Sequence, residues 1–189
     1  SDVEKAYNNL TYKKILGSNL NNETVESNLV LVNKLNDCKV SWEYDSPYIT
    51  DYGEIIKPLS DQKEVKVVLK AEITDGNESR EKEFEVIIKK SSGIEEDKVL
   101  IDYSNIEYVN FLKGNANSKT VVYDLELINR APSGSEIYWE TGDSKYISEE
   151  GKVTRPMGDE KDKKLELVAN IINGDIKKVK RFSITVRKR

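Results

Sequence analysis

Histidine is missing from the chain, and cysteine and methionine occur once each, as Cys38 and Met157. Without imidazole the chain lacks the side chain that ordinarily changes charge near neutral pH, and with it every catalytic triad built on a histidine base. A lone thiol closes no intrachain disulfide and supplies no Cys/His zinc cluster. Cysteine scarcity does not assign a compartment, because many proteins secreted by Gram-positive bacteria also lack disulfides. Long apolar runs are absent too: none approaches the roughly 20 residues that cross a bilayer, and no basic-then-apolar segment opens the chain. Membrane insertion within these residues is therefore not expected, and the sequence is compatible with a mature fragment of something longer. Nor is there a strong excess of positive charge. The net charge is -4, with the acidic excess in the first half and near balance in the second, so nucleic-acid binding through the phosphate backbone is not expected. The one basic cluster, Lys177, Lys178, Lys180 and Arg181 followed by Arg187, Lys188 and Arg189, reads as the solvated face of a last strand and the chain end.

What is present suffices for folded cores. The 189 residues are 37% hydrophobic and 34% charged with a mean hydropathy of -0.63, the profile of small domains with much exposed surface. Two segments reveal the organisation. "YITDYGEIIKPLSD" from Tyr48 and "YISEEGKVTRPMGD" from Tyr146 share a skeleton at an offset of 98, which continues through Leu69 and Leu167, Ala71 and Ala169, Gly76 and Gly174, and Phe84 and Phe182. Upstream the offset becomes 97 at Trp42 and Trp139, then 96 at Leu29 and Leu125, as single-residue loop changes would produce. The chain is thus two copies of one unit, with expected domains at residues 1–91 and 95–189 joined through Ser91, Ser92 and Gly93.

Within each copy the apolar period is mainly that of strands. Val65, Val67, Leu69, Ala71 and Ile73 fall on one face and Lys66, Lys70 and Glu72 on the other, and Leu165, Leu167, Ala169 and Ile171 repeat the inward set. Asp75-Gly76 and Asn173-Gly174 then mark tight hairpins into strands whose inward residues are Phe84, Val86, Ile88 and Phe182, Ile184, Val186. Cys38, Val40 and Trp42 share a strand face, matched by Ser135, Ile137 and Trp139, so the thiol and both indoles read as core residues. Gly53 and Gly151 read as turn positions between very short strands, and Pro58 and Pro156 as stops. Val3, Ala6, Tyr7 and Leu10 at helical spacing predict a short helix opening at least the first copy.

Chemistry-bearing groups are few. Acids such as Glu81, Glu83 and Glu85 fall on outward strand positions, so no carboxylate pair is set for glycoside hydrolysis, and the chain is not expected to be an enzyme. No cofactor is expected; Asp97, Asp102, Asp159, Glu160 and Asp162 offer oxygen donors for Ca²⁺ but without EF-hand spacing, and solvated loop acids are the simpler reading. A Lys-Asn isopeptide crosslink has raw material but no spacing that singles out a pair. The candidate ligand-contacting residues are the aromatics around the Trp-to-Gly region: Tyr44, Tyr48, Tyr52, Tyr138 and Tyr146.

The order Trp, Tyr-Ile, Gly-x-Val, x-x-Pro, an alternating Leu-x-Ala strand, a Gly turn and a terminal Phe-x-Val or Phe-x-Ile strand resembles the atrophied bacterial immunoglobulin-like domain. The second copy, from "IYWETGDSKYISEEGKVTRPMGDEKDKKLELVANI" onward, is the closer match; in the first, Ile56 and Lys57 stand where the second has Thr154 and Arg155. The resemblance implies an all-β chain of two tandem immunoglobulin-like β-sandwich domains from a secreted or surface-attached bacterial protein, extracellular, on the cell surface or in the wall. It implies a non-catalytic spacer or interaction segment whose partners are neighbouring domains of the same parent protein. Two alternatives stay open: an adhesin module that binds a polysaccharide or host surface protein, and an accessory domain of a glycoside hydrolase.

Overall fold

Apolar side chains at every second position give each half a long hairpin with one face in the core, and that hairpin is the frame of each unit. A computed structural model describes residues 1–189, which divide into Ser1–Ser92 and Gly93–Arg189. In the first, helices α1 (Asp2–Asn9) and α2 (Tyr12–Ile15) precede strands β1 (Lys34–Leu35), β2 (Cys38–Glu43), β3 (Val65–Thr74) and β4 (Ser79–Ile88). All pairs are antiparallel, in the order β1-β2-β3-β4. The inner face carries Cys38, Val40, Val67, Leu69, Ala71, Ile73, Phe84, Val86 and Ile88, all buried. Each large apolar side chain so enclosed contributes about 1.5 to 3 kcal/mol.

The opposing layer is reduced. In place of a second regular sheet, Val3 and Ala6 of α1, then Leu10, Ile15, Val25, Leu29, Ile49 and Ile55 join the same core. Two isolated bridges organise those segments: Ile49 with Ile55, and Val25 in parallel with Ile88 of β4. The former is the pair of very short strands expected on either side of Gly53.

The second unit repeats the plan. Helices α3 (Ile94–Asn105) and α4 (Tyr108–Leu112) precede β5 (Glu136–Glu140), β6 (Lys163–Asn173) and β7 (Ile176–Val186), in the order β5-β6-β7. The bridges Ile147 with Val153 and Val121 with Val186 stand where the first unit has its two. The all-β immunoglobulin-like architecture expected from the sequence is thus present in both halves. A helix opens each unit, and each has a second helical turn, α2 or α4, that periodicity did not reveal because four or five residues are too few to show it.

The slips in the repeat offset have local causes. Leu35 and Cys38 enclose Asn36 and Asp37, both at positive φ (48° and 61°), a two-residue turn of the I′ kind. In the second unit the equivalent connection runs from Arg130 to Glu136 and encloses five residues, one more than the four between the paired Lys34 and Lys39. A second single-residue insertion falls between Trp139 and Tyr146, where Gly142 takes φ +82°. The final hairpins keep one register: Thr74 pairs with Ser79 as Ile172 pairs with Lys177, and only the second unit zips on to Asn173 and Ile176.

Candidate functional site

Residues repeated in both copies have structural tasks. Gly53 (φ +78°) and Gly151 (φ +93°) present their carbonyls to the Leu29 and Leu125 amides, each at 2.8 Å. A Cβ on Gly53 would lie 2.6 Å from the Leu29 carbonyl oxygen, and one on Gly151 would meet Leu125 in the same way. The indole N–H of Trp42 donates to the Val32 carbonyl and that of Trp139 to Ile128, both at 2.8 Å. Lys82 Nζ caps α1 at the Tyr7 carbonyl, and Lys180 Nζ caps α3 at Tyr103, again at 2.8 Å. Both ammonium groups also lie over the rings of those tyrosines, at 4.6 and 4.8 Å from the centroids. Tyr12 Oη accepts from the Glu85 amide on the outer edge of β4, and Tyr108 Oη accepts from Ser183 on β7. These tyrosines cover edge-strand groups that would otherwise invite another chain.

The basic cluster is largely engaged in this framework. Lys180 holds the end of α3, Lys177 lies over Tyr138, Arg181 pairs with Glu166 at 2.6 Å, and Arg187 pairs with Asp162 at 3.3 Å. A groove of about 730 Å³ beside β7 is bounded by Tyr108, Lys164, Ser183, Thr185 and Arg187. Its tyrosine and arginine are already bound to Ser183 and Asp162.

Three of the acids considered for Ca²⁺ have other work, and no cluster of three or more carboxylate, thiol or imidazole ligands forms. Asp102 is fully buried and accepts from the Ser133 and Ser135 amides at 2.9 and 3.1 Å. Asp162 accepts from the Lys188 amide. Glu160 accepts from Lys145, the Met157 amide and Tyr146 Oη, and these donors, Lys145 first, hold its carboxyl down at about 2. Cys38 is buried, and burial pushes its thiol up, with the acids Asp75, Asp2, Asp37 and Glu78 adding to the effect. That is the opposite of an activated nucleophile.

The five candidate aromatics separate. Tyr146 is only 7% exposed and donates to Glu160 at 3.0 Å, which places its ring in the core. Tyr48 packs against the first core as a half-buried residue. Tyr138 is exposed on β5, with Lys177 Nζ 3.4 Å from its hydroxyl. Tyr44 and Tyr52, however, meet at one open groove of about 570 Å³ together with Trp42, Asn33, Glu43 and Asp51. Tyr44 Oη donates to the Thr50 carbonyl, and burial, then the Asp51 carboxylate, pushes its phenol up. Tyr52 stands 87% exposed on the turn that Tyr44 anchors, closed by the Gly53 amide on Thr50. Sequence reasoning preferred a core position for Trp42 over a stacking platform and passed over Glu43 and Asp51. The signal was in the repeat: Tyr44 and Tyr52 are matched by Thr141 and Glu150, so the aromatic pair is not something the fold itself requires.

No helix is long and apolar enough to cross a membrane. A family model described as the atrophied bacterial Ig domain matches residues 3–91 and again 102–189. No curated protein matches the chain. Among solved structures, the zebrafish RET cadherin-like domains 1 to 4 align at 8% identity and a TM-score of 0.27, over 88% of this chain and 44% of that one. The chain thus spans less than half of that structure. Human protocadherin-24 EC1-2 aligns at 13% identity and 0.23, over 79% of this chain and 81% of that one. The mouse protocadherin-24 EC1-3 structure gives 15% and 0.21, over 77% and 53%.

Proposed function

The chain belongs to the atrophied bacterial Ig domain family through both of its units, and from that premise we propose that it is a non-catalytic spacer and interaction segment of a larger bacterial protein displayed outside the cell. Its partners are the neighbouring domains of that parent, which it sets at a distance from their anchor. One observation carries the reading. The positions the two copies share, Gly53 and Gly151, Trp42 and Trp139, Lys82 and Lys180, serve backbone geometry, core packing and helix capping. What the duplication preserves is architecture, as a chain used for reach and solubility requires.

The test is replacement in the parent protein. Deleting both units should reduce the parent's function at the cell surface, and an unrelated immunoglobulin-like pair of similar length should restore it. Antibodies against the two units should stain intact, unpermeabilised cells. Restoration by the native pair alone, or staining only after lysis, would overturn the spacer reading.

A further inference from the structure

We propose that the groove at the end of β2 in the first unit binds a saccharide bearing protonated amino groups, with Tyr52 and Trp42 stacking on its pyranose faces and Glu43 and Asp51 receiving its ammonium and hydroxyl donors. This goes beyond spacing and does not rest on it.

The argument begins with what the groove offers. The Trp42 N–H is bound to Val32 and the Tyr44 hydroxyl to Thr50, so these two rings have only faces left to present. Aromatic faces are electron-rich and take up C–H edges and cations. Neither Glu43 nor Asp51 forms an ion pair, and both are exposed. The lysine opposite Glu43 in register, Lys70, places its ammonium on Glu81 at 3.3 Å instead. The wall is therefore aromatic and its rim negative; Lys70 lies near enough to feel Glu43, but its ion pair is with Glu81, and Asp51 has no ion-pair partner.

The donor and acceptor balance then selects the ligand class. Among the lining side chains, two carboxylates and the Asn33 carbonyl accept, while the Tyr52 hydroxyl and the Asn33 amide donate. A peptide would bring one carbonyl acceptor with nearly every amide donor, and those acceptors would find few partners here. An amino sugar is rich in donors, carries the complementary charge and has a flat apolar face for the rings. The site is also preorganised: the Thr50–Gly53 turn that carries Tyr52 is fixed by the Tyr44 anchor and by the Gly53 carbonyl on Leu29. The second unit lacks this set, having Thr141 and Glu150 where the first has Tyr44 and Tyr52.

Calorimetry on the whole chain tests this with a glucosamine tetramer, its fully N-acetylated counterpart and tetralysine, while the emission of Trp42 is followed in parallel in a Trp139→Phe chain. The expected result is saturable binding of the unacetylated tetramer, weakened by added salt, with a change in indole emission. Tyr52→Ala, a substitution at an exposed position that leaves the core intact, should weaken it about tenfold. Asp51→Asn should weaken the unacetylated tetramer more than it affects any residual binding of the acetylated one. Absence of binding, binding untouched by Tyr52→Ala, equal affinity for the acetylated tetramer, or tighter binding of tetralysine would each overturn the proposal.

Discussion

At Gly53 the backbone turns through φ +78° with the Leu29 carbonyl oxygen 2.6 Å from where a Cβ would sit, so a side chain there meets both backbone strain and a fixed backbone atom. Gly76, at φ +96°, has nothing within 4 Å of the same position. Gly53→Ala is therefore expected to cost about 3 kcal/mol and Gly76→Ala about 1, a contrast that urea titration would check. Ser135 gives the reverse sign. It occupies the position that Cys38 holds in the first unit, yet its buried hydroxyl has no hydrogen-bond partner. Ser135→Ala removes a desolvated polar group and is expected to stabilise the second unit by about 1 kcal/mol, read as a raised unfolding midpoint. Glu160 makes stability depend on pH. Its carboxyl ordinarily titrates at 4.5 and is held near 2 in the folded chain. A depressed folded value means that its contribution is fully present above the ordinary value and is lost as pH falls from about 4.5 toward 2. The difference in thermal midpoint between the native chain and Glu160→Gln should thus be constant from pH 7 to about pH 5 and close toward pH 2.

Among the elements, the opening helices show how the two copies diverged within one plan. Ala6 of α1 lies flat in the first core, whereas the equivalent residue of α3 is Asp102, whose carboxylate accepts from Ser133 and Ser135. Those amides belong to the Arg130–Glu136 connection, one residue longer than the Lys34–Lys39 connection of the first unit, and the longer loop leaves donors that the helix satisfies. Asp102→Ala should cost about 3 kcal/mol by leaving both without an acceptor, and Asp102→Asn, which keeps one acceptor oxygen, about half as much. Equal losses in the two variants would argue against this capping role. The strands of β3, β4, β6 and β7 were legible in the sequence because apolar residues at every second position, Val65 to Ile73, Phe84 to Ile88, Leu165 to Ile171 and Phe182 to Val186, arise from little besides a strand with a buried face. Their register followed from the Gly turns. The short helices α2 and α4 and the two-residue β1 were not legible, since elements of so few residues are set by tertiary contacts such as Tyr108 against Phe182 at 5.1 Å. The aromatic candidates were legible only as a set of five. Which of them line a groove depends on burial and on the Tyr44 hydroxyl bond, and neither has a sequence period.

For the molecule as a whole, the two units each own a sheet, a helix pair, a core and one tryptophan, Trp42 in Ser1–Ser92 and Trp139 in Gly93–Arg189. That distribution supplies separate reporters for one experiment. Take Gly53→Ala in two backgrounds, one with Trp139→Phe and one with Trp42→Phe, and follow emission through a urea titration. A unit of this size has a urea slope near 1 to 2 kcal/mol per molar, so a loss of about 3 kcal/mol lowers the midpoint by roughly 2 M. If each core folds by its own contacts, the chain reporting through Trp42 shows that shift relative to its Gly53 parent, while the chain reporting through Trp139 keeps its parent's midpoint. A joint shift would mean that the two cores unfold as one cooperative body. The distinction bears on function: a spacer made of independently stable units loses reach one unit at a time under load, and a cooperative pair loses it all at once.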